Sequence, residues 1–143
     1  YKMATTNASI SVSSDIMSYP ISINKTMTMK KAGSCHGLDE TSGLNNKKFT
    51  SSTAFTIVAN TEGTANKASK VYVRNTGSDK TAFFYVALNT NAAAAATTET
   101  IGKLYGGDWM LIPWIATAAV THNITVASST TEPAYLEWMV FVE

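Results

Sequence analysis

The stretch Lys70–Leu88, KVYVRNTGSDKTAFFYVAL, decides the fold class. Two runs rich in β-branched and aromatic residues flank a polar break, Asn75-Thr76-Gly77-Ser78-Asp79. That pattern predicts an antiparallel hairpin with a glycine-containing loop. On the first run Val71 and Val73 point one way, Tyr72 and Arg74 the other. On the second, Phe83, Tyr85 and Ala87 share a face, and Phe84, Val86 and Leu88 share the opposite one. Large apolar side chains on both faces of the second run predict a strand covered on both sides, hence a central one.

Further strands follow in both directions. Toward the N-terminus, Phe55–Val58 is a short apolar run, and Ile21, Ile23, Met27 and Met29 alternate with Ser22, Asn24, Thr26 and Thr28. This second pattern predicts a half-buried strand with one wet face, and Lys25 within its apolar set predicts a bulge or an exposed edge. Ile10-Ser11-Val12 opens a shorter alternation. Residues 1–9, YKMATTNAS, read as a polar N-terminal arm, which leaves 10–143 as one domain. Residues 32–52 carry three glycines and the lysine pair Lys47-Lys48 with little periodicity, and read as a long loop of the functional or mobile kind.

Toward the C-terminus, Asn89–Thr100 is alanine-rich, too short for an isolated helix to persist, and reads as a loop across one end of the sheet. Ile101–Leu104 predicts a short strand and Tyr105-Gly106-Gly107-Asp108 a turn. Trp109–Trp114, WMLIPW, is continuously apolar and predicts a strand packed on both faces, which Pro113 ends or places at a sheet edge. Asn123–Ala127 and Tyr135–Val142 complete the set. The expected architecture is an all-β antiparallel sandwich of about eight strands with long loops and no substantial helix. Jelly-roll-like and immunoglobulin-like connections both fit this spacing.

Bulk composition narrows the function classes. The chain has 143 residues, enough for one domain that buries about two-thirds of its unfolded surface. Charged residues are 15% of it, against a usual value of about 25%, and Ser and Thr take up the difference. Net charge is +1 with a single arginine, Arg74, so the clustered cations that nucleic-acid backbones require are missing. No apolar run approaches the ~20 residues of a membrane helix. The chain opens on Tyr1 rather than methionine, which leaves room for a leader, a tag or a few preceding residues.

Candidate chemistry is sparse. The lone Cys35 excludes an internal disulfide and a cysteine-based zinc quartet. Cys35-His36 could suggest a nucleophile, but adjacent residues in an extended loop point apart, and His122 is remote in sequence. Asp39-Glu40 and Asp108 match neither a paired-carboxylate site nor a calcium loop, and Asp108 reads as a turn residue. Three glycosylation sequons, at Asn7, Asn24 and Asn123, are what an Asn- and Thr-rich chain produces by chance. No enzyme, cofactor or metal is expected.

The order of parts in the second half has a likeness. Val71–Gly77 and Phe83–Leu88, then Leu104-Tyr105-Gly106-Gly107-Asp108 leading into Trp109–Pro113, then Ile124–Ala127 and a last strand Leu136–Glu143 ending in an acid, make up the series. It resembles the small β-sandwich virion proteins of tailed bacteriophages, the capsid decoration or cement proteins and related tail components. The likeness covers residues 70–143. It implies a non-enzymatic homo-oligomer, a dimer or trimer on the capsid surface, whose partner is the major capsid protein and which clamps neighbouring capsid subunits. The arm and the loop 33–48 would then order on docking. The residues expected at such a surface are Tyr1, Lys2, Met3, Lys47, Lys48, Trp109 and Trp114. The lysine pairs Lys30-Lys31 and Lys47-Lys48 also read simply as solvated loop charges. A tail, baseplate or fibre subunit would use the same sandwich. A carbohydrate-binding module, with Trp109 and Trp114 as a stacking platform, is the alternative from another class; core or interface packing is the plainer use of these aromatics.

Overall fold

The two runs of the deciding stretch, β6 (Ser69–Asn75) and β7 (Phe83–Leu88), are strands but not partners. In the computed structural model, which describes residues 6–15, 21–29, 38, 40–62, 69–88, 100–115 and 122–142, they lie in different sheets. The first sheet contains β5 (Phe55–Val58), β10 (Ile124–Ser128), β7 and β8 (Thr100–Tyr105), in that order. The second contains β11 (Ala134–Val142), β6 and β9 (Trp109–Trp114), with both β4 (Asn45–Phe49) and the two-residue β3 (Glu40–Thr41) on the far side of β11. All pairings are antiparallel.

From β4 onward, every connection except β7–β8 passes from one sheet to the other. The resulting orders, β4-β11-β6-β9 against β5-β10-β7-β8, are those of an eight-stranded jelly roll with two interlocked Greek keys. The connectivity left open above is thereby decided. The central position expected of the second run is also observed, since β7 pairs β10 on one side and β8 on the other.

The expected hairpin fails for a physical reason. Alternation assigns each side chain to a face but does not choose the strand's partner. Both edges of β6 are taken by β11 and β9. The polar break is consumed by ties to other strands rather than by a tight turn. Asn75 is 3% exposed and uses all its polar groups. Its N–H donates to Asp108 O at 2.9 Å and its carbonyl accepts from Gly107 N at 3.0 Å. Its Nδ2 donates to Leu104 O in the other sheet, and its Oδ1 accepts from Gly77 N. Further along, Asp79 accepts both the N–H and the hydroxyl of Thr81 at 2.7 Å. Those bonds, the backbone one foremost, hold its carboxyl below the usual range. The stability they contribute is present above the ordinary carboxylate range and lost as pH falls through the lowered value.

The core lies between the sheets. Val71, Val73, Leu136 and Val140 of one sheet meet Phe84, Val86, Ile124 and Val126 of the other, all essentially sealed from solvent. Phe49 stacks edge-on to Phe84 at 5.1 Å and to Phe55 at 5.6 Å, closing one end. Trp114 points into the same core, 7% exposed, and its Nε1 donates to His122 O at 2.7 Å.

Two N-terminal strands stand outside the roll. β1 (Thr6–Ser14) and β2 (Ile21–Met29) pair over nine residues each and form a sheet of their own. The arm expected over 1–9 is thus strand from Thr6 onward, and residues 1–5 lie outside the described residues. Of the bulge or exposed edge expected at Lys25, the exposed edge is observed: Lys25 faces Ile10 in unbroken register, is exposed, and lies on a strand of a two-stranded sheet. The loop expected over 32–52 contains β4, and Asn89–Glu99 lies outside the described residues.

Gly106 is buried where the β8–β9 turn passes beneath the β6–β7 loop. A Cβ there would collide with the carbonyl oxygen of Asp79 and stand 2.8 Å from that of Gly77. Gly106→Ala should therefore lower unfolding stability by about 1–3 kcal/mol, the range for overpacking. Asn75→Ala, which strands two backbone partners, should lower it by about 2–3 kcal/mol. Urea melts read both, and a wild-type midpoint for either would refute this account of the corner.

Candidate interaction surface

Because β9 is the last strand of its sheet, its outer side chains and one backbone edge face away from the roll. Ladder parity shows which groups face outward. Asn75 N–H bonds Asp108 O, so Met110 and Ile112 are the residues that exchange bonds with β6. The backbone groups of Trp109, Leu111 and Pro113 then lie on the free edge, where proline's missing N–H costs nothing.

Trp109 is 48% exposed and projects from the outer face, so β9 is not packed on both faces as its continuous apolar run predicts. Trp114 is buried on the inner face, so the two tryptophans do not form one platform and Trp114 does not belong to the surface. Their spacing already carries this signal. Five positions is an odd number, and odd spacings on one strand alternate faces.

Arg74 lies opposite Trp109 on β6, and Glu137 opposite Arg74 on β11. The three form a row across adjacent strands. Tyr72 donates its hydroxyl to Glu137 Oε1 at 2.7 Å, and Arg74 Nη1 approaches the same oxygen at 3.6 Å. Burial, then the hydrogen bond to the Glu137 carboxylate, raises the Tyr72 phenol above its ordinary value. Tyr72, Arg74, Gly107 and Trp109 line an open depression of about 490 Å³. Gly107 adopts φ +93°, a left-handed conformation suited to glycine, and adds no side chain to the floor.

The lysine pair is split by the alternation of β4. Lys48 is exposed on the outer face, opposite Tyr135. Lys47 turns toward the sandwich opening, its Nζ 4.1 Å from the Phe55 ring centre and 5.7 Å from that of Phe49. It caps the aromatic end of the core, a cation–π role rather than a free charge. Tyr1, Lys2, Met3, Cys35, His36 and Asp39 lie outside the described residues. Asp108 closes its turn, its carboxylate accepting Tyr105 N–H at 2.9 Å.

The β1–β2 ribbon has two unlike faces. Cross-strand partners share a face, so Ala8, Ile10 and Val12 line up with Met27, Lys25 and Ile23. The opposite face is entirely polar and laced by Ser9–Thr26 and Thr28–Asn7 hydrogen bonds of 2.8 Å. On the apolar face, Ile10, Val12, Ile23 and Met27 are each 42–45% exposed. The half-buried strand expected over Ile21–Met29 is thus exposed along most of its length, with Met29 buried at its end. A backbone bond from Leu38 N to Met29 O, and a side-chain bond from the Thr6 hydroxyl to Leu38 O, anchor the base. Between the ribbon and the β9 edge runs a mostly apolar groove of about 560 Å³, lined by Ala8–Ile10, Lys25 and Met27 on one side and Trp109–Leu111 on the other.

The outer face of the other sheet carries a self-contained aromatic group. Phe83 packs at 4.9 Å on Tyr85 and 5.0 Å on Tyr105, and Lys103 Nζ lies 4.6 Å from the Phe83 ring centre.

Among the described residues no group of His, Cys, Asp and Glu could hold a metal ion. None of the helices required to cross a membrane is present among them either, which leaves strand-based insertion unaddressed. Comparison with known families, with curated proteins and with solved structures gives no match.

Below pH 10 the raised phenol of Tyr72 contributes its full share to stability, and that share is lost as pH rises through its folded value. Phenolate absorbance during an alkaline titration should show a late component that Tyr72→Phe removes. Identical high-pH tails in both proteins would contradict the Tyr72–Glu137 coupling.

Proposed function

We propose that the chain is a non-enzymatic virion structural protein, a capsid decoration or cement protein that bridges neighbouring capsid subunits as a homo-oligomer. The observation that carries this reading is the ribbon. Two-stranded ribbons are marginal in water unless something covers one face. This one presents an apolar face lined by Ile10, Val12, Ile23 and Met27, outside the roll's core. Such a face is suited to a neighbouring molecule. Jelly rolls serve in viral capsids and in lectins alike, so the architecture agrees with the reading without selecting it.

The size of the ribbon says what kind of partner suits it. Nine residues at ~3.3 Å each and two strands ~4.8 Å apart give a face of about 30 by 10 Å. Covering it buries about 600 Å² counted on both partners, half of the ~1,200 Å² at which specific stable interfaces begin. One ribbon is a weak tether. Repeated on a lattice, or joined through an oligomer, the same contact becomes tight by avidity.

Quantitative mass spectrometry on purified particles from the source material tests the class. Hundreds of copies in a simple ratio to the major shell protein fit cement, and a few dozen or fewer fit a tail, baseplate or fibre subunit. Absence from particles removes the virion reading. The ribbon's part is tested by Val12→Lys with Ile23→Glu, which replaces a facing apolar pair by an opposite-charge pair compatible with strand pairing. Particle occupancy should fall at least tenfold while the melting temperature of the roll stays within about 2 °C. Unchanged occupancy would show that the ribbon is not the contact.

A further inference from the structure

The row Trp109–Arg74–Glu137 has chemistry that docking of an apolar ribbon does not use. Its members come from three adjacent strands in direct register, so they are placed by paired backbone rather than by loops. At ~4.8 Å between strands the row is about 10 Å long. Trp109 offers an indole face with nearly half of its surface open. Beside it stand a guanidinium with several donors, a carboxylate acceptor and a phenol, the last two fixed by the 2.7 Å Tyr72–Glu137 bond. The depression lined by Tyr72, Arg74, Gly107 and Trp109, about 490 Å³, is of the size that small ligands occupy, and Glu137 adjoins it through its contacts with Tyr72 and Arg74.

An aromatic face next to planar, bidentate hydrogen-bonding groups complements a molecule with a C–H face and an edge of vicinal hydroxyls. The charges narrow the class. Arg74 is the chain's single arginine, and it lies 3.6 Å from Glu137, so the pair sums to zero. An anionic ligand would compete with Glu137 for the guanidinium, whereas neutral hydroxyls can bridge both partners without separating them. Gly107 keeps the flank of Trp109 free of a side chain.

We infer that the outer-face row Trp109–Arg74–Glu137, with Tyr72, binds a neutral saccharide of one or two rings. This goes beyond the assembly reading and does not depend on it: Tyr72 and Arg74 line the depression and not the groove beside the ribbon, while Trp109 lines both.

A glycan array probed with the full chain, containing neutral and acidic oligosaccharides, provides the first test. Hits are then titrated by saturation-transfer NMR and tryptophan fluorescence. The expected result is binding to neutral sugars, weakened at least tenfold by Trp109→Ala and several-fold by Arg74→Ala, with wild-type circular dichroism in both. Leu44→Ala, in an exposed position outside the row, should leave binding unchanged. The inference is overturned by no binding to any neutral glycan at millimolar concentration, by binding confined to acidic glycans, or by binding that survives Trp109→Ala. Loss of binding in Leu44→Ala to the same degree as in Trp109→Ala overturns it as well. Particle copy number is read independently, so either proposal can fail without the other.

Discussion

Asn75 holds the corner on which the jelly roll turns. It is the last residue of β6, buried, and bonded through its backbone to the β8–β9 turn and through its side chain to Leu104 in the opposite sheet. A buried amide in such a place is costly unless every donor and acceptor is used, and here all are. Its neighbour Thr76 donates to Tyr135 O, adding β11 to the same knot. The chain can therefore leave one sheet and enter the other without stranding polar groups, and Gly106 supplies the close backbone approach that the crossing needs. Without this corner β6 and β7 would be free to pair with each other, as their local pattern suggests.

Two regions of different character result. The roll is sealed by interleaved valines, leucines and phenylalanines from both sheets, and its strands constrain one another through many long-range pairings. The ribbon is regular in register but covered on neither face along most of its length, so its backbone pairing is complete while its burial is not. Natural proteins seldom leave an apolar stripe of this kind exposed without a use for it. Both proposed surfaces lie where β9, the edge strand, meets the ribbon, with Trp109 standing between an apolar groove and a polar depression.

The likeness to phage decoration proteins rested in part on an N-x-G hairpin that the fold does not contain. The fold observed is an all-β sandwich, and the virion role stands as a proposal on the ribbon rather than on that turn. The expected surface fared unevenly. Trp109 is on it and Trp114 is not, and Lys47 and Lys48 face opposite ways because adjacent strand residues alternate. Tyr72 and Arg74 were legible only as sharing one face of their strand, and nothing local links Tyr72 to Glu137, 65 residues away. The wet face of β2 was legible, but its continuation across β1 and the register of Ser9 with Thr26 were hidden, since β1 offers only Ile10-Ser11-Val12 as a local pattern.

By itself the sequence determined most of the strands, though not β3, β4 or the start of β1, and it determined which side chains of those strands share a face; Pro113 narrowed β9 to a strand end or a sheet edge. These are local matters, settled by period-2 alternation, β-branched content and proline's missing N–H. Tertiary structure alone decided which strands pair, which sheet each joins, and that the outer face of β6 meets Trp109 on one side and Glu137 on the other. Partner choice depends on packing two sheets around one core and on satisfying buried groups such as those of Asn75. Both are properties of the whole chain, and no short stretch of it carries them.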